Sequence, residues 1–248
     1  LSSIFVYASP TNQWIAPTTM LANIATNWSL GHIPTNGEVI VYSSTFPAAG
    51  SSLSCTVNVP LNCESLILSN YAATVTVSNS LNLGNINQSS GTLQFGSSGH
   101  TVTNSIAFVV GANVRFGNGT LTFSGNTYTQ LVSALNVGIN TNTLIFSGTN
   151  TFAYLTANTL LTFNWEIASN TVVNMYNGAN YNTSIIGNTL KLSGTLNCSN
   201  NIVVNGLYNT NSIMTVNSGA ALYNFNTTTY LLGPYYGSTT DVSTIFMH

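Results

Sequence analysis

Charge is what this chain has least of. Two Lys/Arg and four Asp/Glu are spread over 248 residues, 2% in all, where an ordinary soluble domain carries about 25%. The ionic side chains are Arg115, Lys191, Glu38, Glu64, Glu166 and Asp241, with His32, His100 and His248 beside them. With so little basic charge there is no patch for a phosphate backbone, so nucleic acid is excluded as a partner. Low charge alone would suit a membrane protein, but a spanning helix needs about 20 apolar residues in a row. Runs such as "IAFVVGA" are far shorter and are broken by Asn, Thr, Ser and Gly, so membrane insertion is not expected. Disorder goes with low hydrophobicity and high charge, whereas this chain is 44% hydrophobic and 10% aromatic. What remains is a neutral, polar protein solvated by amides and hydroxyls, with enough apolar material for a core.

Cysteine is scarce too: Cys55, Cys63 and Cys198. Cys55 and Cys63, eight apart, are the candidate disulfide, closing a small loop across a turn; the other reading is three buried thiols that pack as small hydrophobes. The spacing is not CxxC and no His is close, so no metal site is expected. No cofactor motif is present. The opening "LSSIFVYASP" reads as a mature end left after removal of a leader, which places the protein outside the cell or on its surface. Six N-x-S/T sequons, at Asn27, Asn87, Asn118, Asn182, Asn197 and Asn226, are candidate glycosylation sites.

What is abundant is repetition. Short apolar–polar phrases start at 38 ("EVIVYS"), 64 ("ESLILS"), 91 ("GTLQFG"), 119 ("GTLTFS"), 142 ("NTLIFS"), 188 ("NTLKLS") and 212 ("SIMTVN"), with "WEIASN" at 165 filling the one long gap. They are rich in Leu, Ile, Val, Phe and Thr and alternate as half-buried strands do, and Asn, Gly and Ser between them supply turns. Steps between 23 and 28 residues predict a β-solenoid (parallel β-helix) with coils of about 25 residues; a β-sandwich or jelly roll is the alternative. Stacked coils explain the missing charge. A side chain repeated on every rung would meet its like at short range, so charges repel where Asn and Thr bond to one another.

Trp14 and the phrase "TNWSLGHIPTNGEVIVYSS", with Asn27, Trp28, Ser29, Gly31, Pro34, Gly37, Glu38, Val39 and Ile40, carry a more specific pattern. Over about residues 10 to 45 it resembles the opening of large secreted and autotransporter-like β-solenoid surface proteins of prokaryotes. The resemblance implies a secreted, surface-associated solenoid and brings no catalytic residues. The acidic run usual before the first strand is reduced here to Glu38. Physically, Trp14 and Trp28 read as a plug over the first coil, since an open solenoid end exposes core and unpaired strand edge.

Catalysis finds little to stand on. Glu38 and Glu64 are 26 apart, one period, so they stack on neighbouring rungs; both are expected at the mouth of a strand, exposed and solvated. Glu166 and Lys191, 25 apart, are the candidate inter-coil ion pair. No Ser/His/Asp or metal-ligand spacing emerges, so no enzymatic activity is expected. Thr pairs such as "TVTV" and "TLTF" raise ice binding, but "TLQF", "TLIF" and "TLKL" interrupt the array.

The chain divides into an N-terminal strand (1–9), a cap (10–37), the solenoid (38–226) and a Tyr-rich C-terminal cap or contact segment (227–248). Ile4, Phe5, Val6 and Tyr7 form a candidate assembly strand. The net charge of −2 at pH 7 rises only to +5 in strong acid, from two Lys/Arg and three His, which suits harsh surroundings; and a surface without charge does not keep copies apart. The expectation is a structural subunit of an extracellular filament or surface layer whose partners are copies of itself. The alternative is a cell-surface adhesin or glycan-binding module with surface glycans as ligands.

Overall fold

Alternation does most of the building. In strand after strand every second side chain is buried, as in Val39–Tyr42, Thr74–Val77, Thr92–Phe95, Asn113–Phe116, Thr120–Phe123 and Thr189–Leu192, the pattern of sheets with one face on a core. The computed structural model describes residues 9–44, 53–131, 134–136, 143–155, 164–177, 183–185, 189–198, 202–204, 213–218, 220–224 and 244–247. It shows an all-β chain of parallel strands stacked as a β-solenoid, with coils spaced by about 21 residues.

Pairing sorts the strands into three columns. The first is a six-stranded sheet of Met20–Leu21, Cys55–Val57, Thr74–Val77, Thr92–Phe95, Asn113–Phe116 and Ala134–Asn136 in that order. Three long strands, Leu61–Leu68, Leu81–Gln88 and Gly99–Phe108, serve the other two columns. The front of Gly99–Phe108 pairs with Thr120–Phe123, which begins the second column: Thr143–Phe146, Asn164–Ile167, Thr189–Leu192, Ile213–Val216, Thr244–Met247. Its rear pairs with Thr127–Gln130, and the third column continues through Thr151–Leu155, Val172–Asn177, Thr195–Cys198 and Ala221–Asn224. Thr183–Ile185 and Ile202–Val204 form a separate parallel pair.

The coil is shorter than the phrase spacing predicts, and the reason is instructive. Leu61 pairs with Leu81, a step of 20 residues, and Thr74 with Thr92, a step of 18. Steps lengthen later, to 25 from Trp165 to Leu190. "EVIVYS" and "ESLILS" do stack, and so do the phrases from 119 onward. "GTLQFG" does not belong with them: its strand Thr92–Phe95 lies in the first column, between Thr74–Val77 and Asn113–Phe116. The steps of 27 and 28 on either side of it are therefore not coil lengths but distances between different columns.

Inward residues form columns of their own. Cys55, Val75, Leu93 and Val114 succeed one another in the first; Leu121, Leu144, Trp165 and Leu190 in the second. Aromatic rings continue the core along the stack: Phe95 stacks on Phe116 at 5.1 Å, and Phe146 lies 6.1 Å from Phe123 and 5.0 Å from Trp165. His100 occupies one of these inward places, between Leu121 and the neighbouring coil, and is 2% exposed.

At the N-terminal end Trp14 and Trp28 are both buried, 5.2 Å apart edge-on, and each lies about 6 Å from Tyr42. Their indole N–H groups donate to the carbonyls of Leu53 and Ala22, so the rings are deep in the core without an unmade hydrogen bond. The segment 10–37 also contributes strands to the sheets: Thr11–Gln13 pairs with Val39–Tyr42 and Met20–Leu21 with Cys55–Val57. At the other end Thr244–Met247, inside the segment expected to leave the repeat, runs parallel beside Ile213–Val216. Tyr230, Tyr235 and Tyr236 lie outside the described residues, as does the proposed assembly strand Ile4, Phe5, Val6 and Tyr7.

Candidate functional site

Glu38 is the centre of the cap corner. Its strand begins where the turn at Gly37 (φ +84°) ends, a backbone region that glycine enters at no steric cost. One carboxylate oxygen accepts from Asn12 Nδ2 and from the Thr35 amide, both at 3.1 Å; the other accepts from Thr35 Oγ1 at 3.1 Å and lies 3.4 Å from His32 Nε2. Asn12 Nδ2 also donates to the His32 carbonyl, and Asn12 Oδ1 accepts from the Leu30 amide. The carboxylate thus ties the strand Thr11–Gln13, the loop through His32 and the turn at Thr35 into one corner. It is 6% exposed, not solvated as its position at a strand mouth suggests. The sequence signals missed were Asn12 and Thr35, whose donors make burial of this charge affordable.

Glu64 does sit one coil on, its amide donating to the Glu38 carbonyl at 2.9 Å. Its side chain is exposed and accepts a hydrogen bond from Ser9 Oγ. The two carboxylates share a rung spacing but no environment: one is buried and held by the cap, the other faces solvent.

Beside them a groove of about 450 Å³ crosses adjacent coils. Asn36 from the cap loop, Asn62 and Asn82 from successive rungs, Gly84, and Thr103 from the next coil line it, over the buried Cys63 and Leu83. Asn82 Nδ2 donates to Asn62 Oδ1 at 2.7 Å. Gly84 is required by close approach: a Cβ there would lie 2.6 Å from the Glu64 carbonyl oxygen. Between Leu83 and Asn85 the register slips, so that Leu83 faces Val102 while Asn85 faces Ser105. Thr103 and Asn104 together oppose Gly84, a bulge that turns neighbouring side chains in different directions. Asn104 bonds to Asn85 Oδ1 at 2.8 Å, and Thr103 lines the groove, donating to the Leu83 carbonyl.

The groove belongs to a wider system of polar ladders. Asn197 donates to Asn174 and Asn174 to Asn150, each at 2.8 Å; Asn85 donates to Ser65 at 3.0 Å and Asn217 to Ser193 at 2.7 Å. Glu166 and Lys191 are register partners and form an ion pair at 2.8 Å, the place of a ladder pair being taken by opposite charges.

Cys55 and Cys63 are free, buried thiols, which corrects the disulfide reading. They lie on different columns, Cys55 opposite Val75 and Cys63 opposite Leu83, so their closeness in sequence does not bring them together across a turn. Burial pushes both thiols up to about 12, with the Glu38 charge adding to the effect at Cys63, which leaves neither as a nucleophile near neutral pH. Among the sequons, Asn27 is 2% exposed and donates its amide to the Leu21 carbonyl, so the fold has no room for a glycan there. Asn87 and Asn118 are exposed; Asn197 is half-buried in its ladder; Asn182 and Asn226 lie outside the described residues. Among the described residues no group of His, Cys, Asp and Glu is placed to hold a metal ion, and no helix is long and apolar enough to cross a membrane. No protein-family model, no curated protein and no solved structure matches this chain.

Proposed function

We propose that this chain is a structural subunit of an extracellular filament or surface layer, assembling through β contacts between copies. The observation that carries the reading is the nature of the outer surface. Parallel coils present Asn, Ser and Thr in ladders, and the described charges are few: Glu166 and Lys191 neutralise each other, Glu38 is buried, and Glu64 and Arg115, of opposite sign, make up the rest. Such a surface offers no electrostatic barrier to a second copy, and its amides and hydroxyls are donors and acceptors at once. The resemblance of residues 10 to 45 to the opening of secreted surface solenoids points the same way, and the exposed sequons at Asn87 and Asn118 would add hydration to a protein that lacks charge.

Assembly is tested by negative-stain electron microscopy of the purified chain, with and without residues 1–9. Filaments or sheets in the intact protein are the expected result. Their loss on deletion would assign the contact to Ile4, Phe5, Val6 and Tyr7; their persistence would leave assembly standing and remove strand donation. A monodisperse monomer at high concentration would overturn the proposal.

A further inference from the structure

The groove beside the cap differs from the rest of the ladder surface in three respects that converge on ligand binding. The first is shape. Gly84 has no side chain and can accept none, because its backbone lies against the Glu64 carbonyl; where the coils on either side carry Glu64 and the pair Thr103–Asn104, the middle coil leaves a gap. The volume, about 450 Å³, falls within the range of about 300–1,000 Å³ typical of small-ligand sites.

The second is the bulge. A regular rung would oppose Gly84 with one residue, but the register slip between Leu83 and Asn85 supplies two. Asn104 is consumed by the ladder through Asn85, and Thr103 is freed to line the groove. Bulges concentrate next to functional sites because they re-aim a side chain in this way.

The third is the direction of the amides. The bond from Asn82 Nδ2 to Asn62 Oδ1 fixes both side chains. It leaves Asn62 with its NH₂ donors and Asn82 with its oxygen acceptor on neighbouring rungs, about 4.8 Å apart along the stack. Thr103 Oγ1 spends its proton on the Leu83 carbonyl and keeps its lone pairs. The lining therefore offers a donor, an acceptor and a hydroxyl in fixed positions, with Asn36 facing them from the cap loop.

What the groove lacks narrows the ligand. None of its lining residues is charged and none is aromatic. Phosphates and acidic sugars would find no counter-charge among them, and a planar ring would find nothing to stack on. A ligand that alternates hydroxyl donors and acceptors along its length, carries no charge and tolerates a narrow track is a neutral oligosaccharide. We propose that the groove formed by Asn36, Asn62, Asn82, Gly84 and Thr103 binds a short neutral glycan lying along the stack, held by amide and hydroxyl hydrogen bonds. The site does not depend on assembly.

Equilibrium dialysis tests it in the intact chain, filamentous or not, with radiolabelled maltotriose, cellotriose and triacetylchitotriose as probes. At least one should bind with a dissociation constant in the millimolar range, as a shallow site built on neutral hydrogen bonds implies. Salt between about 0.05 and 0.5 M should leave it unchanged, there being no charge to screen. N82A and T103A, both at exposed positions, should each weaken binding about five-fold or more with circular dichroism unaltered, while T129A, on the third column farther along, should not. The proposal is overturned if none of the three sugars is retained at about 10 mM or if the two groove variants bind as the parent does.

Discussion

His100 makes the stack sensitive to acid, and the size of the effect follows from its surroundings. It takes an inward place opposite Leu121, with the Phe95 ring 5.0 Å away. Nδ1 accepts from the Leu81 amide at 3.3 Å, and Nε2 is buried without a partner. Nothing in that setting solvates a second proton, and burial pulls the imidazole from 6.5 down to about 4. The neutral ring is thus favoured in the fold. Above pH 6.5 the group is neutral whether the chain is folded or not and costs nothing. Between pH 6.5 and about 4 the unfolded chain takes up a proton that the folded chain refuses, so stability falls; below about 4 the loss is complete and levels off. With each factor of ten in proton affinity worth about 1.4 kcal/mol, the loss amounts to about 3 kcal/mol. The substitution H100L removes it. At pH 7 the two chains should differ little, because the variant relieves the unpartnered Nε2 while leaving the Leu81 amide without its acceptor, each costing about 1–3 kcal/mol. At pH 4 the variant should be the more stable by about 3 kcal/mol, read from urea denaturation followed by far-ultraviolet circular dichroism at both pH values. Equal losses in parent and variant between pH 7 and 4 would refute the reasoning. A low net charge protects a protein from self-repulsion in acid, but it does not protect a core that holds one imidazole.

Three further perturbations probe the architecture. G84A places a methyl group 2.6 Å from the Glu64 carbonyl oxygen and should cost about 1–3 kcal/mol, seen as a lower thermal midpoint; an unchanged midpoint would mean that the coils separate freely at the groove. W28A empties the space between Trp14 and Tyr42 and deletes the bond to Ala22, and should cost about 3–5 kcal/mol in the same measurement. Iodoacetamide at pH 7.5 (roughly a unit below a free thiol's ordinary pKa) should leave Cys55 and Cys63 unmodified in the native protein and alkylate both in denaturant, as read by peptide mass spectrometry; peptides joined by a disulfide would contradict the structure.

Much of the fold was written in the alternation of apolar and polar residues, and so was the pairing of Glu166 with Lys191, because register in a parallel stack turns one coil length into spatial contact. The assignment of a phrase to a column was not legible. "TLQF" and "TLTF" obey the same rule of every second residue inward, and that rule holds on all three columns, so the two look like successive rungs although they lie on different sheets. The inferred coil came out too long for this reason. Burial of Glu38 was hidden for another: its partners, Asn12 and Thr35, form no recognised motif with it, and a lone Glu at a strand start reads as solvated. The groove depends on a missing side chain and one extra residue, Gly84 against Thr103–Asn104, which in sequence are two ordinary turn-forming letters in a chain full of them.

The direction of the backbone hydrogen bonds carries a mechanical consequence. In a solenoid they run along the long axis, coil to coil, so a pull between the two ends loads the rungs in series and each must bear the whole force. The stack then yields at its weakest joint, not everywhere at once.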